Sequence, residues 1–193
     1  MVFVRLKQAT IIVVTEMEKG RGPHGPGMTP STDAGGLDPG LADHVVELDH
    51  RGGYNFTARF VSESGNLQMD EPEPLGEGEP WGPEGVSLLT GGAGYCMTAS
   101  LVFCLNKVRV PVEDLSTRAM AHLKRVERRL RRVSGLEIDI TVKVAEEHRK
   151  AFERCLGHFT EFCIVTESIQ GAFPITIRVH HPWGEFVREL PAE

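Results

Sequence analysis

Cysteine is scarce in this sequence, at four in 193 residues, which argues against a scaffold held together by disulfides. No uninterrupted apolar run approaches the roughly 20 residues that span a bilayer, so we expect no membrane segment. Basic charge is not in excess: 21 Lys and Arg against 27 Asp and Glu give a formal charge of −6, which argues against a nucleic-acid partner. The first residues lack the pattern of a signal peptide, so we expect a cytoplasmic protein.

Glycine and proline are unevenly distributed, and this divides the chain into two parts. Residues 1–16 have the composition of a strand, and residues 20–40 are rich in Gly, Pro, Ser, Thr and Asp. The second stretch cannot bury enough apolar surface to offset its ordering entropy, so it is predicted to be a linker. We therefore expect an N-terminal extension over residues 1–43 and a folded domain over residues 44–193.

Hydrophobic periodicity within the domain predicts an α+β fold. Alternating apolar residues indicate strands at 45–48, 56–61, 67–69, 114–126, 136–145 and 175–179. Pro83 and Glu84 open a nearly uncharged helix that continues to about Val108. A second helix carries the apolar stripe of Phe152, Cys155, Leu156, Phe159, Phe162 and Cys163. The predicted order is β-β-β-α-β-β-α-β, with two central helices packed on antiparallel sheets.

Opposite charges are concentrated in two segments outside the predicted helices. The loop at residues 70–84 carries acidic residues and no basic ones, whereas residues 124–132 are mostly Lys and Arg. A basic run can bind nucleic acid, but in a net-acidic chain a solvated face or an ion-pair partner for the acidic loop is the better interpretation.

The four cysteines lie in two pairs, and each pair is separated by eight residues along one predicted helix. Eight residues of helix rise about 12 Å, whereas a disulfide needs Cα atoms within about 7 Å. Cys96 therefore cannot pair with Cys104, nor Cys155 with Cys163 if that helix is continuous. Any intrachain pair must join the two helices. From composition alone, the better interpretation is that all four cysteines are small core residues.

Several short motifs resemble the OsmC/Ohr family (osmotically inducible protein C-like, organic hydroperoxide resistance). Gly82-Pro83-Glu84 followed by Gly94-Tyr95-Cys96 is similar to the family's Asn-Pro-Glu opening and its helix-borne cysteine. Cys163-Ile164-Val165-Thr166 resembles its second motif, Cys-Pro-Val-Ser. Gly82 and Ile164 depart from the family pattern, and the resemblance covers roughly residues 44–180.

The resemblance implies a homodimeric thiol peroxidase that reduces organic hydroperoxides without a bound cofactor. In this interpretation Cys96 attacks the peroxide, Cys163 resolves the sulfenic acid as a disulfide, and an external dithiol reduces that disulfide. Glu84 orients an arginine that stabilises the Cys96 thiolate. This sequence has no arginine at the position where the family's essential arginine is expected. The candidates for its role are Arg59 and Arg51, and Arg59 is slightly preferred. Cys104 and Cys155 are assigned to packing.

Two other functions remain open at this stage. The first alternative to a peroxidase is an OsmC-like binding protein that has lost the catalytic activity. The second is a redox sensor in which oxidation of Cys96 changes a contact with a partner protein. If the enzyme reading holds, apolar side chains near Cys96 predict a pocket that favours alkyl hydroperoxides over hydrogen peroxide: Trp81, Leu88, Tyr95, Met97 and Phe103.

Overall fold

The computed structural model describes residues 44–61, 65–73, 75–76 and 81–192. The predicted extension and linker at residues 1–43 lie outside the described residues. The described part of the domain has two sheets and three α-helices: β1 (Val46–Gly52), β2 (Asn55–Phe60), β3 (Asn66–Met69), α1 (Gly85–Lys107), β4 (Asp114–Arg125), β5 (Arg131–Lys143), α2 (Arg149–Leu156), α3 (Ile164–Ile169), β6 (Ile175–His181) and β7 (Gly184–Leu190). The α+β class is confirmed.

The first sheet is a three-stranded antiparallel meander in the order β1-β2-β3. Its first strand is exposed along its whole length, and Thr57 and Ala58 of β2 are its buried positions. The buried carboxylate of Asp70, just after β3, accepts hydrogen bonds from the backbone amides of Glu71 and Trp81. This carboxylate ties the end of the meander to the segment that leads into α1.

The second sheet has the order β4-β5-β6-β7 and is mixed, not wholly antiparallel as expected from the sequence. β4 pairs with β5 and β6 with β7 in antiparallel fashion, whereas β5 and β6 run parallel, with Leu136 opposite Ile175. Parallel neighbours require a crossover, and here the crossover contains α2 and α3.

One face of this second sheet forms the core beneath a layer of helices. Alternate residues of β5 and β6 are fully buried, as are the residues of α1 spaced four apart that cover them: Ala93, Met97, Leu101, Leu105, Leu136, Ile138, Ile140, Ile175, Ile177 and Val179. A side chain at Gly94 would place its Cβ 2.9 Å from the Cβ of Ala119, so glycine lets α1 lie close on β4. Small residues were expected at such a contact; Gly91 and Gly92, however, face open space.

The second predicted helix is broken, which corrects the sequence interpretation. α2 ends at Leu156, residues Phe159–Phe162 form a short 3-10 turn, and α3 starts only at Ile164. His158, with a φ of −133°, and the extended backbone of Cys163 interrupt the helical geometry. The residues of the apolar stripe are still buried in the core, including Phe159 and Cys163, except that Phe162 is half exposed.

Two further features differ from expectation. The segment after β6, expected to be a tail, forms the edge strand β7. By length and composition α1 passes the threshold for a membrane span, with a mean hydropathy of 1.6 over an 18-residue window. One such helix is weak support for a membrane location, because a core helix that packs on a sheet has the same composition.

Candidate thiol site

Cys96 lies at the middle of α1, on the side of the helix that faces the crossover segment. The helix begins at Gly85, directly after Glu84 in extended geometry at the N-cap, as Pro83-Glu84 predicted. Cys96, Ser100 and Cys104 follow each other at four-residue spacing, so they share one ridge of the helix. Cys96 is partly buried, which leaves its thiol accessible to a small molecule.

Cys163 lies at the point where the chain changes from the 3-10 turn to α3. Its amide donates to the Thr160 carbonyl, and its own carbonyl accepts from the Glu167 amide in the first turn of α3. The side chain is fully buried. The hydroxyl of Thr166, also fully buried, has no nitrogen or oxygen partner among the described residues and lies against the Cys163 sulfur.

The structure brings the four thiols together as two pairs. The thiol of Cys163 lies beside that of Cys96, and the thiol of Cys155 lies beside that of Cys104. Each pair joins α1 to the crossover segment, in agreement with the helix-rise argument. Because the cysteines are eight residues apart in both segments, both pairs can form when the two segments lie side by side.

The environment of Cys163 acts on its ionisation in both directions. Burial raises the pKa of the Cys163 thiol above its usual range, and the neighbouring Cys96 thiol adds to the rise. The neighbouring hydroxyl and backbone amide of Thr166 lower this pKa, because both can donate a hydrogen bond to the sulfur once it is a thiolate. Cys163 is thus predominantly a protonated thiol, and the hydroxyl and amide of Thr166 can stabilise its thiolate once it forms.

Neither candidate arginine is ion-paired with Glu84 among the described residues. Arg59 pairs with Glu47, its direct neighbour across β1 and β2. Arg51 lies 3.6 Å from Asp49 and donates to the Thr57 hydroxyl at 3.0 Å. The structure therefore brings Cys96 and Cys163 together but gives both arginines acidic partners on β1, and the assignment of Arg59 to the thiolate stays a prediction.

Two other arginines, which the sequence analysis did not consider for the site, share a depression with Glu84. A cavity of about 600 Å³ is lined by Glu84, Glu71, Arg131 and Arg132, together with Gly85, Val86, Leu123, Leu130 and Val133. The charge pattern of the sequence contained a signal for this cluster. The basic residues 124–132 are predicted there to form ion pairs with the acidic loop as a whole, and no arginine among them is assigned to Glu84.

The motif Gly82-Pro83-Glu84 begins with glycine where the family has Asn, and the structure gives a steric reason for this difference. A Cβ at Gly82 would overlap the backbone carbonyl of Gln68, at the end of β3. A side chain is excluded there unless the meander moves. This departure reflects how the meander packs, and it leaves Pro83 and Glu84 free to start α1.

The apolar residues expected around Cys96 do not form one pocket. Met97 is fully buried in the core and cannot line one, whereas Trp81, Tyr95 and Phe103 are exposed. A groove of about 690 Å³ between α1 and β4 is lined by Glu84, Thr90, Tyr95, Thr98, Leu115, Thr117, Ala119 and Leu123, among others. Cys96 is not among its lining residues.

Comparison with known proteins agrees with this architecture. The family model for OsmC-like proteins matches residues 76–178, just over half of the chain, and includes Cys96 and Cys163. No curated protein sequence matches significantly. An OsmC-like protein from Mycoplasma pneumoniae aligns with a TM-score of 0.60 at 11% identity, covering 73% of this chain and 98% of its own. A hypothetical protein from Aquifex aeolicus aligns with a TM-score of 0.57 at 22% identity, covering 73% and 97%.

A third similar structure has a functional name. The organic hydroperoxide resistance protein from Elizabethkingia anophelis has a TM-score of 0.54 and 13% identity, and the alignment covers 73% of this chain and 99% of that one. At such identities the structural likeness shows the fold. Together with the family model, which spans both thiol motifs, it leads to one conclusion: the chain belongs to the OsmC-like protein family.

Proposed function

We propose that this protein is a thiol peroxidase that reduces organic hydroperoxides through Cys96 and Cys163. The observation that carries the proposal is the contact between their thiols, one partly exposed and one fully buried. The name of the Elizabethkingia anophelis relative supports the substrate class.

The proposed reaction follows from the two environments. The Cys96 thiolate attacks the distal oxygen of the hydroperoxide, the O–O bond breaks, and the alkoxide takes a proton and leaves as the alcohol. The resulting sulfenic acid is attacked by Cys163, which forms the disulfide and releases water. An external dithiol then reduces the disulfide, with no bound cofactor, and the Thr166 donors stabilise Cys163 as the leaving thiolate.

The roles of Glu84 and Arg59 form the second part of the proposal. A guanidinium near Cys96 stabilises its thiolate, and a carboxylate fixes the orientation of that guanidinium. Arg59 would have to leave Glu47 to act in this way.

We also propose that the protein acts as a homodimer. α1 is apolar on all sides, yet only one side of it is covered by the sheet. Tyr95 and Ile164 are about four-fifths exposed, and Phe103 and Phe162, in edge-to-face contact with each other, are half exposed. Such a large exposed apolar surface is typical of a protein interface, and a second copy supplies an equally apolar face. Reduction of the disulfide by a dithiol fits a cytoplasmic setting.

One observation favours a second candidate function, an OsmC-like protein without peroxidase activity. Both arginines that were candidates for stabilising Cys96 are ion-paired with acids of β1. The thiolate is the nucleophile, so a thiol without a neighbouring cation reacts slowly with peroxide. A binding protein or a slow redox sensor is consistent with that arrangement.

Steady-state turnover distinguishes these functions. Wild-type protein with a dithiol reductant is expected to turn over cumene hydroperoxide. Cys96→Ser should abolish turnover, whereas Cys163→Ser should accumulate sulfinic acid at Cys96 after excess peroxide. Absence of turnover by folded wild-type protein would contradict the peroxidase and favour the second candidate.

A further inference from the structure

We propose that Cys104 and Cys155 form a second redox-active dithiol, separate from the Cys96–Cys163 site, and that its oxidation ties α1 to α2 by a disulfide. This proposal does not depend on the peroxidase activity. It rests on the position, contact and burial of two residues that the peroxidase reaction does not use.

The second pair follows from the register of the first. Eight residues forward along α1 lead from Cys96 to Cys104, and eight residues back along the crossover lead from Cys163 to Cys155. The two segments therefore run antiparallel, and their cysteines meet at two levels separated by about two helical turns. Because this separation is about 12 Å, the two pairs react independently.

The contact at the second level involves both the thiol and the backbone. The Cys104 sulfur lies 3.9 Å from the carbonyl oxygen of Cys155, and the two thiols are neighbours that interact electrostatically. Cys104 is partly exposed and Cys155 is 1% exposed. A small oxidant therefore reaches Cys104 first, and Cys155 is placed to complete the bond from the interior.

The oxidation that fits this arrangement is exchange with a small-molecule disulfide. The Cys104 thiolate attacks one sulfur of the oxidant, which leaves a mixed disulfide on Cys104 and releases one small thiol. The Cys155 thiolate then attacks the Cys104 sulfur and releases the second small thiol. The protein dithiol loses two electrons and two protons, and the small disulfide gains them.

Burial makes this pair slow in both directions. It raises the pKa of Cys155 to about 12, so only a small fraction is thiolate at neutral pH, and ring closure from the mixed disulfide is slow. Reduction requires the same poor thiolate to leave, so the disulfide persists once formed. Cys163, in contrast, has the Thr166 hydroxyl and amide as donors.

The persistent disulfide would link positions 51 residues apart. It would fix α2, and the crossover that carries Cys163, against α1. We therefore expect brief oxidant exposure to affect the first pair alone, and prolonged exposure to produce a protein with higher thermal stability.

The test uses the full chain with Cys96→Ser and Cys163→Ser, so that only the second pair remains. This variant is incubated with excess oxidised glutathione at mildly alkaline pH, quenched by alkylation and mapped by mass spectrometry. We expect a Cys104–Cys155 disulfide, the release of both glutathione thiols, and a melting temperature several degrees above that of the reduced sample. The matched control adds Cys155→Ala, and we expect it to stop at glutathione on Cys104.

Two outcomes would overturn the proposal. One is a stable mixed disulfide at Cys104 in the protein that retains Cys155. The other is the complete recovery of both free thiols after prolonged incubation. If the double variant fails to fold, the same mapping of wild-type protein decides, because a Cys104–Cys155 peptide must appear beside any Cys96–Cys163 peptide.

Discussion

The Thr166 hydroxyl offers a test in which stability and reactivity should change in opposite directions. It is buried without a nitrogen or oxygen partner and lies against the Cys163 sulfur. An unpartnered buried hydroxyl costs about 1–3 kcal/mol, so replacing it with a methyl of the same shape removes a penalty. We expect Thr166→Val to raise the free energy of unfolding of the reduced protein by about 1 kcal/mol, as measured by urea denaturation.

The same substitution should impair Cys163 as a leaving group. A hydrogen bond to a charged group contributes about 1.5–3 kcal/mol. If about half of this is felt in the transition state, reduction of the Cys96–Cys163 disulfide by dithiothreitol should slow by about three- to tenfold. The rate is measured by quenching with an alkylating reagent and mass spectrometry.

Thr160→Val is the matched control for this experiment. Thr160 is also fully buried, and its hydroxyl also lacks a partner among the described residues, but it is not one of the donors to Cys163. We expect a similar gain in stability with no change in the reduction rate. Equal rates for the two variants, or a loss of stability in Thr166→Val, would refute the reasoning.

Three further predictions follow from other parts of the structure. Because the folded-state pKa of Cys155 is raised from 9.0 to about 12, the unfolded chain loses this proton first. The free energy of unfolding should therefore fall by up to about 1.4 kcal/mol per pH unit above about pH 9, and urea melts of Cys155→Ala should lack this component. Arg129→Gly should raise the melting temperature, by a gain of about 0.5–1 kcal/mol, because Arg129 has a positive φ of 60° in the β4–β5 turn; a lower melting temperature would contradict this. Arg59→Ala should slow alkylation of Cys96 by iodoacetamide severalfold and Arg51→Ala should not, and unchanged rates in both would remove Arg59 from the site.

Elements with a strong local signal were predicted well from the sequence. The start of α1 follows from a proline and an acid ahead of a long apolar segment, and the strands of the core follow from strict alternation, as in Leu136, Ile138 and Ile140. The family resemblance rests on residues near both thiols, and the family model confirms it. In each case the information lies within a few residues of the feature itself.

Features that depend on distant contacts were missed. The stripe from Phe152 to Cys163 has helical spacing throughout, but the chain breaks after Leu156 and still buries most of the stripe, because the surface of α1 selects which residues face inward. β7 was missed because charged residues interrupt its apolar pattern, as expected for an edge strand. The contact between Cys104 and Cys155 depends on an antiparallel register that no local pattern specifies.

The parallel pairing of β5 with β6 has a consequence for how the protein folds. All four thiols find their partners only after the crossover has closed across the sheet, and closing a long loop is slow compared with local collapse. In a partly folded chain the short loops between Cys96 and Cys104, or between Cys155 and Cys163, close more readily. An oxidising environment during folding would therefore trap non-native bridges that block the helices. We expect refolding yields to be high with a thiol reductant and low without one.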